Sequence, residues 1–122
     1  MPAHVRAIRG ATTVDADTPE QIEERVVALM TTVLERNGVH EDDIISILFT
    51  ATEDVVSMFP AAAARTMGLG AVPLMCAREL SVTGSVPRCI RVMVHVETDR
   101  PREEIHHVYL EGARGLRDDL PA

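Results

Sequence analysis

The sequence predicts a single domain of mixed α and β structure, and three observations support this. The chain has 122 residues, of which 46% are hydrophobic, so it can bury one sizeable core and has no room for a second domain. Apolar residues recur at helical spacing at Ile22, Val26, Leu29 and Val33. Aliphatic residues at every second position within residues 89–98 indicate a strand. Because helical and strand patterns alternate along the chain, we expect a mixed sheet packed with helices.

The first element is a strand at residues 4–11, which we expect Gly10 to close. Alternation along this strand places Val5, Ala7 and Arg9 on one face. An arginine at the end of an otherwise small and apolar face is a candidate for a binding role.

The helix that follows has a signal at each end. Thr18 is an N-cap residue, Pro19 suits the first helical position, and Gln21 completes a capping box. Asn37 and Gly38 provide the C-terminal stop. We interpret this helix as architecture, because its periodic residues are aliphatic.

The remaining elements have weaker signals. They are a buried central strand at residues 44–50, a helix from about 59 to 67, a strand at 71–76, the strand at 89–98, a short turn or helix after residue 99, and a strand at 108–110. The stretch from about residue 112 to 122 is charged and contains glycine, so we expect a mobile tail. We therefore expect residues 1–122 to form one domain with a tail.

Charge and composition exclude several classes of function. The chain has 12 basic and 19 acidic residues and a formal net charge of −7, which disfavours nucleic acid and anionic membrane surfaces as partners. All the basic residues are arginine, and the absence of lysine excludes a Schiff-base lysine and a P-loop. Phe49, Phe59 and Tyr109 are the only aromatic residues, too few for a base-stacking platform.

Cysteine usage and hydropathy indicate a cytoplasmic protein. Cys76 and Cys89 are too few for a zinc site and do not suggest a disulfide framework. The sequence opens directly on a strand-like segment, and no apolar run approaches the ~20 residues that a membrane span requires.

Arg91 is the most informative residue, because it lies within an apolar strand. Alternation puts Ile90, Val92 and Val94 on the opposite face, so Arg91 points away from the aliphatic side. It is either one charge on a solvated strand face or part of a site for an anion, because a guanidinium removed from water needs an anionic partner. Other charged or polar residues that interrupt apolar patterns are Arg9, Arg65, Glu79 and Tyr109. Such a set suits a small ligand with two carboxylates and a hydroxyl.

Two other interpretations of single residues are weaker. His106 and His107 follow acidic residues, but neighbouring side chains on a strand point to opposite faces, which disfavours a metal site. Cys76 could be a nucleophile, but without an obvious histidine partner a small pocket or core residue is favoured.

The order of motifs resembles one enzyme family. The chain contains Ile-Arg-Gly-Ala-Thr-Thr-Val at 8–14, Phe-Pro-Ala at 59–61, Cys-Ala-Arg-Glu at 76–79, Val-Thr-Gly at 82–84, Cys-Ile-Arg-Val-Met at 89–93 and His-Val-Tyr-Leu at 107–110. Together these resemble the monofunctional bacterial chorismate mutases of the trimeric α/β, or pseudo-barrel, type. The resemblance covers roughly residues 5–120.

This resemblance implies a fold, an assembly and a reaction. It implies a ferredoxin-like α+β subunit that assembles into a homotrimer, with active sites in clefts between subunits. The implied reaction is the rearrangement of chorismate to prephenate in phenylalanine and tyrosine biosynthesis. This step is concerted and pericyclic, so it requires no covalent intermediate, proton transfer, metal or cofactor.

The resemblance also implies the site residues. On one side of the cleft it places Arg9, Glu79, Arg91 and Tyr109, with Arg91 and Glu79 as the main catalytic groups and Arg9 assisting. The substrate-binding residues of the other side are implied to be Phe59, Ala61, Arg65, Leu74, Met75 and Cys76. Leu116 would be a lid contact from the tail.

The chain departs from the family pattern at two positions. Ala62 stands where members often carry a lysine, and Met75 stands where a threonine is common. Either Arg65 or Arg117 would then have to meet the ring carboxylate of the substrate. The missing lysine leaves open an alternative, a non-catalytic trimeric protein that binds a small dicarboxylate.

Overall fold

The computed structural model describes residues 3–116, which form a five-stranded mixed sheet with two α-helices. The elements are β1 (His4–Thr13), α1 (Pro19–Asn37), β2 (Ile44–Ala51), α2 (Pro60–Thr66), β3 (Leu74–Arg78), β4 (Cys89–Thr98) and β5 (Val108–Tyr109), with single 3-10 turns at Glu41–Asp43, Arg102–Glu104 and Glu111–Ala113. The predicted α+β class is confirmed.

The strand order across the sheet is β3-β2-β4-β1-β5. Strand β4 runs antiparallel to both of its neighbours, β1 and β2, whereas the outer pairs β2–β3 and β1–β5 are parallel. Strands β1 and β2 therefore run in one direction with β4 between them. This is the split βαβ arrangement of ferredoxin-like folds.

One face of the sheet packs against the helices, and the other is open. The covered face contributes alternate residues such as Ile8, Phe49 and Ile90 to the core, where Ile22 and Leu29 of α1 meet them. The open face carries the other alternate set, most of which is half-buried or exposed within the single chain. The two faces of β4 are those that the sequence predicts.

The ends of α1 follow the predicted signals. The Thr18 hydroxyl accepts from the Gln21 main-chain N–H at 3.2 Å, Pro19 occupies the first turn, and Gly38 at φ +59° ends the helix. The reciprocal half of the capping box does not form. The Gln21 side-chain oxygen accepts instead from the main-chain N–H groups of Asp15 and Ala16.

Gly10 does not close the first strand, because β1 continues through it to Thr13. Its role is close packing. A Cβ at this position would lie 3.1 Å from Leu29 Cδ1, 3.1 Å from Val92 Cγ1 and 3.2 Å from the Val108 carbonyl oxygen. The glycine thus lets α1 and β5 approach the centre of the sheet.

Two further predictions about strands are corrected. The strand predicted at 71–76 is β3 at Leu74–Arg78, displaced toward the C-terminus. The segment predicted as the central strand is β2. It is the second of the five strands across the sheet, and β4 is the central one. Ile45 of β2 is 40% exposed, so this strand is buried on one face only.

The beginning of the expected tail packs against β1. The Gly112 main-chain N–H donates to the Thr13 hydroxyl at 2.9 Å, and Ala113 is fully buried. Residues 117–122, including Arg117, lie outside the described part of the chain. A mobile tail stays a prediction for those residues.

Neither helix in the described part of the chain is long and apolar enough to cross a membrane.

Candidate active site

One end of the open sheet face carries a cavity of about 260 Å³. The strand register creates it: Ala11 of β1 lies opposite Arg91 of β4, which in turn lies opposite Thr50 of β2, and Tyr109 of β5 lies beside Ala11. These four positions form one row across the sheet and share its open face. The cavity is lined by Arg9, Gly10, Leu48, Thr50, Glu79, Arg91, Val92, Met93 and Tyr109. We call it the arginine cavity.

Arg91 and Glu79 form an ion pair in this cavity, with 3.2 Å between Arg91 Nε and Glu79 Oε1. The side chains are 39% and 20% exposed, so solvent screens the pair incompletely. Arg91 Nε is buried, and its N–H does not point at Glu79 closely enough to form a hydrogen bond, so the contact is an ion pair. The pair therefore brings the guanidinium to the cavity without saturating its donors.

Two contacts hold Glu79 in place from the side of β2. The Thr50 hydroxyl donates to Glu79 Oε2. The Glu79 main-chain N–H donates to the Ala51 carbonyl at 2.9 Å, which extends the β2–β3 ladder by one residue. The carboxylate is thus fixed between a hydroxyl and a guanidinium.

Arg9 gives the cavity a net positive charge. It lines the cavity together with Arg91, and Glu79 is the one carboxylate that the described residues contribute to the lining, so two guanidinium groups there face a single negative charge. The chain as a whole has a net charge of −7. A local excess of positive charge in an acidic protein favours binding of a small anion here.

Backbone contacts between β1 and the segment of β5 position Arg9 and Tyr109. The Arg9 main-chain N–H donates to His107 Nδ1 at 2.9 Å, and the Leu110 N–H donates to the Ala11 carbonyl at 2.9 Å. Both side chains are half-buried and line the same cavity. The predicted group of Arg9, Glu79, Arg91 and Tyr109 therefore converges.

Cys89 lies two residues before Arg91 on the same strand face and is 1% exposed. Burial raises the pKa of the Cys89 thiol. The positive charge of Arg91 opposes this rise, whereas the negative charges of Glu79 and Asp54 add to it. The thiol is therefore protonated at neutral pH and acts here as a packing group.

A second cavity of about 450 Å³ lies at the β3 edge, where α2 begins. It is lined by Ala51, Val55, Val56, Ser57, Met58, Phe59, Pro60, Cys76, Ala77 and Arg78. Phe59 is 72% exposed, a high value for an aromatic side chain. We call this the edge groove. No residue within 3–116 lines both this groove and the arginine cavity.

The residues predicted for the second wall of the site do not share one surface of the chain. Phe59 and Cys76 line the edge groove, and Arg65 is exposed on the last turn of α2. The others are placed as follows: Ala61 is buried in the core, Leu74 packs half-buried against the core, Met75 is 65% exposed on the open face, and Leu116 packs half-buried against Ala11, Cys89 and Ala113. Their use in one site would require another surface to join them.

Thr50 and Leu48 line the arginine cavity but were not expected from the sequence. Both lie on the open face of β2, opposite Arg91 and Met93 of β4. A signal was present, because Thr50 is a polar residue near the end of an apolar strand. The register that sets it opposite Arg91 could not be read from the sequence.

Within residues 3–116, no group of three or more His, Cys, Asp or Glu side chains is arranged to hold a metal ion. His107 uses its Nδ1 to accept from the Arg9 main chain. The described lining of the arginine cavity provides fixed charges of both signs and hydrogen-bond donors.

Comparisons with known proteins identify relatives that match most of the chain. The family model for type I chorismate mutase matches residues 5–120. The chorismate mutase AroH of Thermus thermophilus is 49% identical over 117 residues, covering 95% of this chain and 96% of that protein. The chorismate mutase AroH of Bacillus subtilis (strain 168) is 44% identical over 117 residues, covering 95% and 92%. The solved chorismate mutase from Clostridium thermocellum matches with a TM-score of 0.88 and 51% identity, over 89% of this chain and 97% of that one.

Proposed function

This chain belongs to the family of type I chorismate mutases and is an isomerase, and we propose that it rearranges chorismate to prephenate by electrostatic stabilisation and conformational restriction alone. In this reaction a carbon–oxygen bond breaks while a carbon–carbon bond forms. Negative charge grows on the ether oxygen, and positive charge grows on the ring. A site that catalyses it needs fixed charges of both signs, close together. The observation that carries the mechanism is the Arg91–Glu79 pair in the arginine cavity.

Arg91 is the group that stabilises the ether oxygen in this mechanism. Its strand position fixes it before substrate arrives, so little reorganisation is needed at the transition state. Its partly buried position strengthens the interaction relative to bulk water. Cys89, two residues earlier on the same strand face, is buried and neutral, so it adds no competing charge.

Glu79 stabilises the positive charge that develops on the ring. Its carboxylate accepts from the substrate's ring hydroxyl and lies near the developing positive charge. Thr50 holds one carboxylate oxygen, which leaves the other for Arg91 and the substrate. No proton moves to or from Glu79 in this mechanism.

Arg9 and Tyr109 bind the side-chain carboxylate of chorismate. A guanidinium and a phenol hydroxyl can together grip one carboxylate and hold the reacting chain folded over the ring. Holding this otherwise minor conformer lowers the entropic part of the barrier.

The working enzyme in this proposal is a homotrimer in which each site lies between two subunits. The uncovered sheet face supports this, because it presents apolar side chains such as Val5 at 63% and Met75 at 65% exposure. The edge groove supports it too, because Phe59 and Cys76 lie away from the arginine cavity of their own chain. A neighbouring subunit would bring its Phe59 and Arg65 to face Arg9 and Arg91.

The ring carboxylate of chorismate needs a cation from the second wall. Ala62 has no charge to offer, and Arg65, exposed one turn further along α2, is the candidate within the described residues. Arg117 is the alternative and lies outside them. We place the enzyme in the cytoplasm, where aromatic amino acids are made from soluble intermediates.

The test is direct conversion of chorismate. Purified protein is incubated with chorismate, the loss of chorismate is followed by absorbance, and prephenate is identified in the product. We expect conversion by the wild-type protein and a large loss of rate in Arg91→Ala. Wild-type protein that binds chorismate but leaves it unchanged would support the alternative, a dicarboxylate-binding protein, and would contradict the mechanism.

A further inference from the structure

The segment between β2 and α2, residues 52–59, forms much of the edge groove and ends in the exposed Phe59. We call it the Phe59 loop. It contains neither helix nor strand, so its position depends on the partners of its polar main-chain groups. Val55 is the one residue of the loop that is buried in the core.

Asp17 binds the main-chain N–H groups of this loop from outside it. Its Oδ1 accepts from the Val56 N–H at 3.1 Å, the Ser57 N–H at 3.1 Å and the Ser57 hydroxyl at 2.8 Å, and its Oδ2 also lies 3.1 Å from the Val56 nitrogen. Asp17 itself directly precedes Thr18, the N-cap of α1, so it belongs to a well-anchored part of the chain. One carboxylate thus ties the loop to the start of α1.

The contacts affect the ionisation of this carboxyl. Desolvation raises the pKa of Asp17. The hydrogen bonds from the Ser57 hydroxyl, the Ser57 N–H and the Val56 N–H lower it, and together they outweigh desolvation, so the pKa lies below its ordinary value. The ionised form is therefore the one that the loop binds.

Arg78 binds main-chain carbonyl groups of the same loop. Its Nη1 donates to the Thr52 carbonyl at 2.6 Å and to the Val55 carbonyl at 3.1 Å. The loop is thus gripped at its donors by a carboxylate and at its acceptors by a guanidinium. Both side chains lie outside the loop, so its position depends on residues of neighbouring segments as well as on its own Val55 and Ser57.

We propose that Asp17 is a positioning residue for catalysis: it holds the Phe59 loop so that Phe59 and the edge groove fit against the substrate bound by a neighbouring subunit. This inference rests on the proposed function, because it gives the groove a substrate-facing role. Asp17 does not line the arginine cavity, so it acts through Phe59. Loss of the carboxylate should weaken substrate binding and leave the charged catalytic groups intact.

The test compares Asp17→Ala with Asp15→Ala. Asp15 is a matched control, because it lies two residues earlier and pairs with Arg25 at 3.0 Å, away from the loop. We expect Asp17→Ala to raise KM by about tenfold, because the three donors that lose their partner affect substrate binding only through the position of the loop. We expect kcat to stay within about twofold, because the lost interaction contributes equally to substrate and transition-state binding. Asp15→Ala should leave both unchanged.

A double-mutant cycle tests whether the effect passes through Phe59. In a Phe59→Ala background, Asp17→Ala should change KM by less than about twofold, because the group that it positions is gone. An unchanged KM in Asp17→Ala, or the same effect of Asp17→Ala in both backgrounds, would overturn the proposal. Ser57→Ala removes only the hydroxyl contact and should give a smaller rise in KM, which provides a milder variant if Asp17→Ala folds poorly.

Hydrogen exchange gives a readout that does not depend on activity. The Val56 and Ser57 amides should exchange faster in Asp17→Ala than in wild-type protein, while the amides of β4 are unchanged. If wild-type protein fails to convert chorismate but this local change is found, the proposed function is wrong and the anchoring of the loop is right. If exchange at both amides is unchanged, the positioning role of Asp17 is wrong.

Discussion

Arg91 is a strand residue whose charge has been placed before the substrate arrives. Its aliphatic strand neighbours lie in the core on the other face, so the side chain has one direction available to it. Glu79 at 3.2 Å compensates the charge in part, and Arg9 adds a second positive charge nearby. The combination is suited to a reaction in which charge separates without proton transfer.

Replacing Arg91 should remove most of the catalysis. Arg91→Ala is expected to lower kcat by at least ~10²-fold, the scale for losing one preorganised donor. Arg91→Gln should also fail, because it keeps a donor and loses the charge. Steady-state kinetics measure this, with Arg36→Ala, an exposed arginine at the end of α1, as the control. A near-normal kcat in folded Arg91→Ala with an unchanged oligomeric state would remove Arg91 from the mechanism.

Thr50 gives a second test at this scale, because it holds Glu79 through its hydroxyl. Thr50→Val keeps the shape of the side chain and removes that donor, so we expect a fall in kcat of about tenfold, corresponding to one hydrogen bond to a charged group. Thr50→Ser restores the hydroxyl and should recover most of the rate. Equal kcat values for the valine variant and the wild-type enzyme would show that Glu79 is positioned without Thr50.

The sequence predicted individual site residues better than it predicted which of them converge in one cavity. Alternation alone predicted the direction of Arg91, because an isolated strand fixes which side chains share a face. The convergence of Arg91 with Arg9 and Thr50 depends on strand register, which long-range packing decides. The sequence pattern lists Arg9, Glu79, Arg91 and Tyr109 together with Arg65 as one candidate set, and only the family resemblance implies that the four lie on one side of a cleft.

Elements with strong local signals were predicted to the residue. Strand β4 has the predicted bounds, and α1 begins at its proline and ends before Gly38 as expected. Gly10 was misinterpreted as a strand end, because a glycine that permits close packing and a glycine that breaks a strand look the same in sequence. The apolar pattern also predicts too early a start for β3. Pro73 lies in the segment predicted as strand, and β3 begins after it because proline has no N–H to donate to the sheet.

Gly10→Ala tests the packing interpretation. A methyl group would meet Leu29 and Val92 at 3.1 Å, so we expect a loss of about 1–3 kcal/mol in the free energy of unfolding, the usual cost of overpacking. Gly70→Ala is the control, because its nearest neighbour is Arg65 Cγ at 3.9 Å, and its effect should stay within about 0.5 kcal/mol. Urea denaturation measures both. Equal stability of the two variants would contradict this role for Gly10.

The free energy of unfolding should depend on pH through Asp54, which links the segment after β2 to the residue before β4; we call this link the β2–β4 junction. Asp54 accepts from the Arg88 main-chain N–H at 3.0 Å and from the Thr52 hydroxyl. Desolvation raises its pKa, but the hydrogen bonds from Thr52 and Arg88 outweigh this and hold the pKa below its ordinary value. A folded pKa below the unfolded one stabilises the fold above the unfolded value, about pH 4, and this contribution is lost as pH falls through the folded pKa.

We therefore expect Asp54→Asn to lower the free energy of unfolding at pH 7, and the difference from wild type to shrink as pH falls below about 4. Urea denaturation at pH 7, 5, 4 and 3 measures the difference. Asp42→Asn, at an exposed position in the turn before β2, is the control. A difference that is constant over this pH range would show that the Asp54 charge does not stabilise this junction.

The whole molecule divides its predicted substrate contacts between two surfaces. The arginine cavity lies on the open face of the sheet, and the edge groove lies at β3 beside α2. Of these two surfaces, as the described residues form them, only the arginine cavity is lined by Arg9, Glu79 and Arg91, and only the edge groove is lined by the exposed Phe59. An arrangement in which one subunit's open face meets the next subunit's edge would repeat around a ring, which is how a heterologous interface closes into a trimer.

Mixed trimers test whether the site is shared. Arg65→Ala and Arg91→Ala proteins, each expected to be inactive, are mixed, dissociated and reassembled, and their chorismate mutase activity is compared with that of each protein reassembled alone. If every site takes Arg91 from one chain and Arg65 from the next, a random ring of equal parts restores about a quarter of the wild-type sites. Activity that stays at the level of the single variants, in trimers shown by mass spectrometry to contain both chains, would place each whole site within one chain.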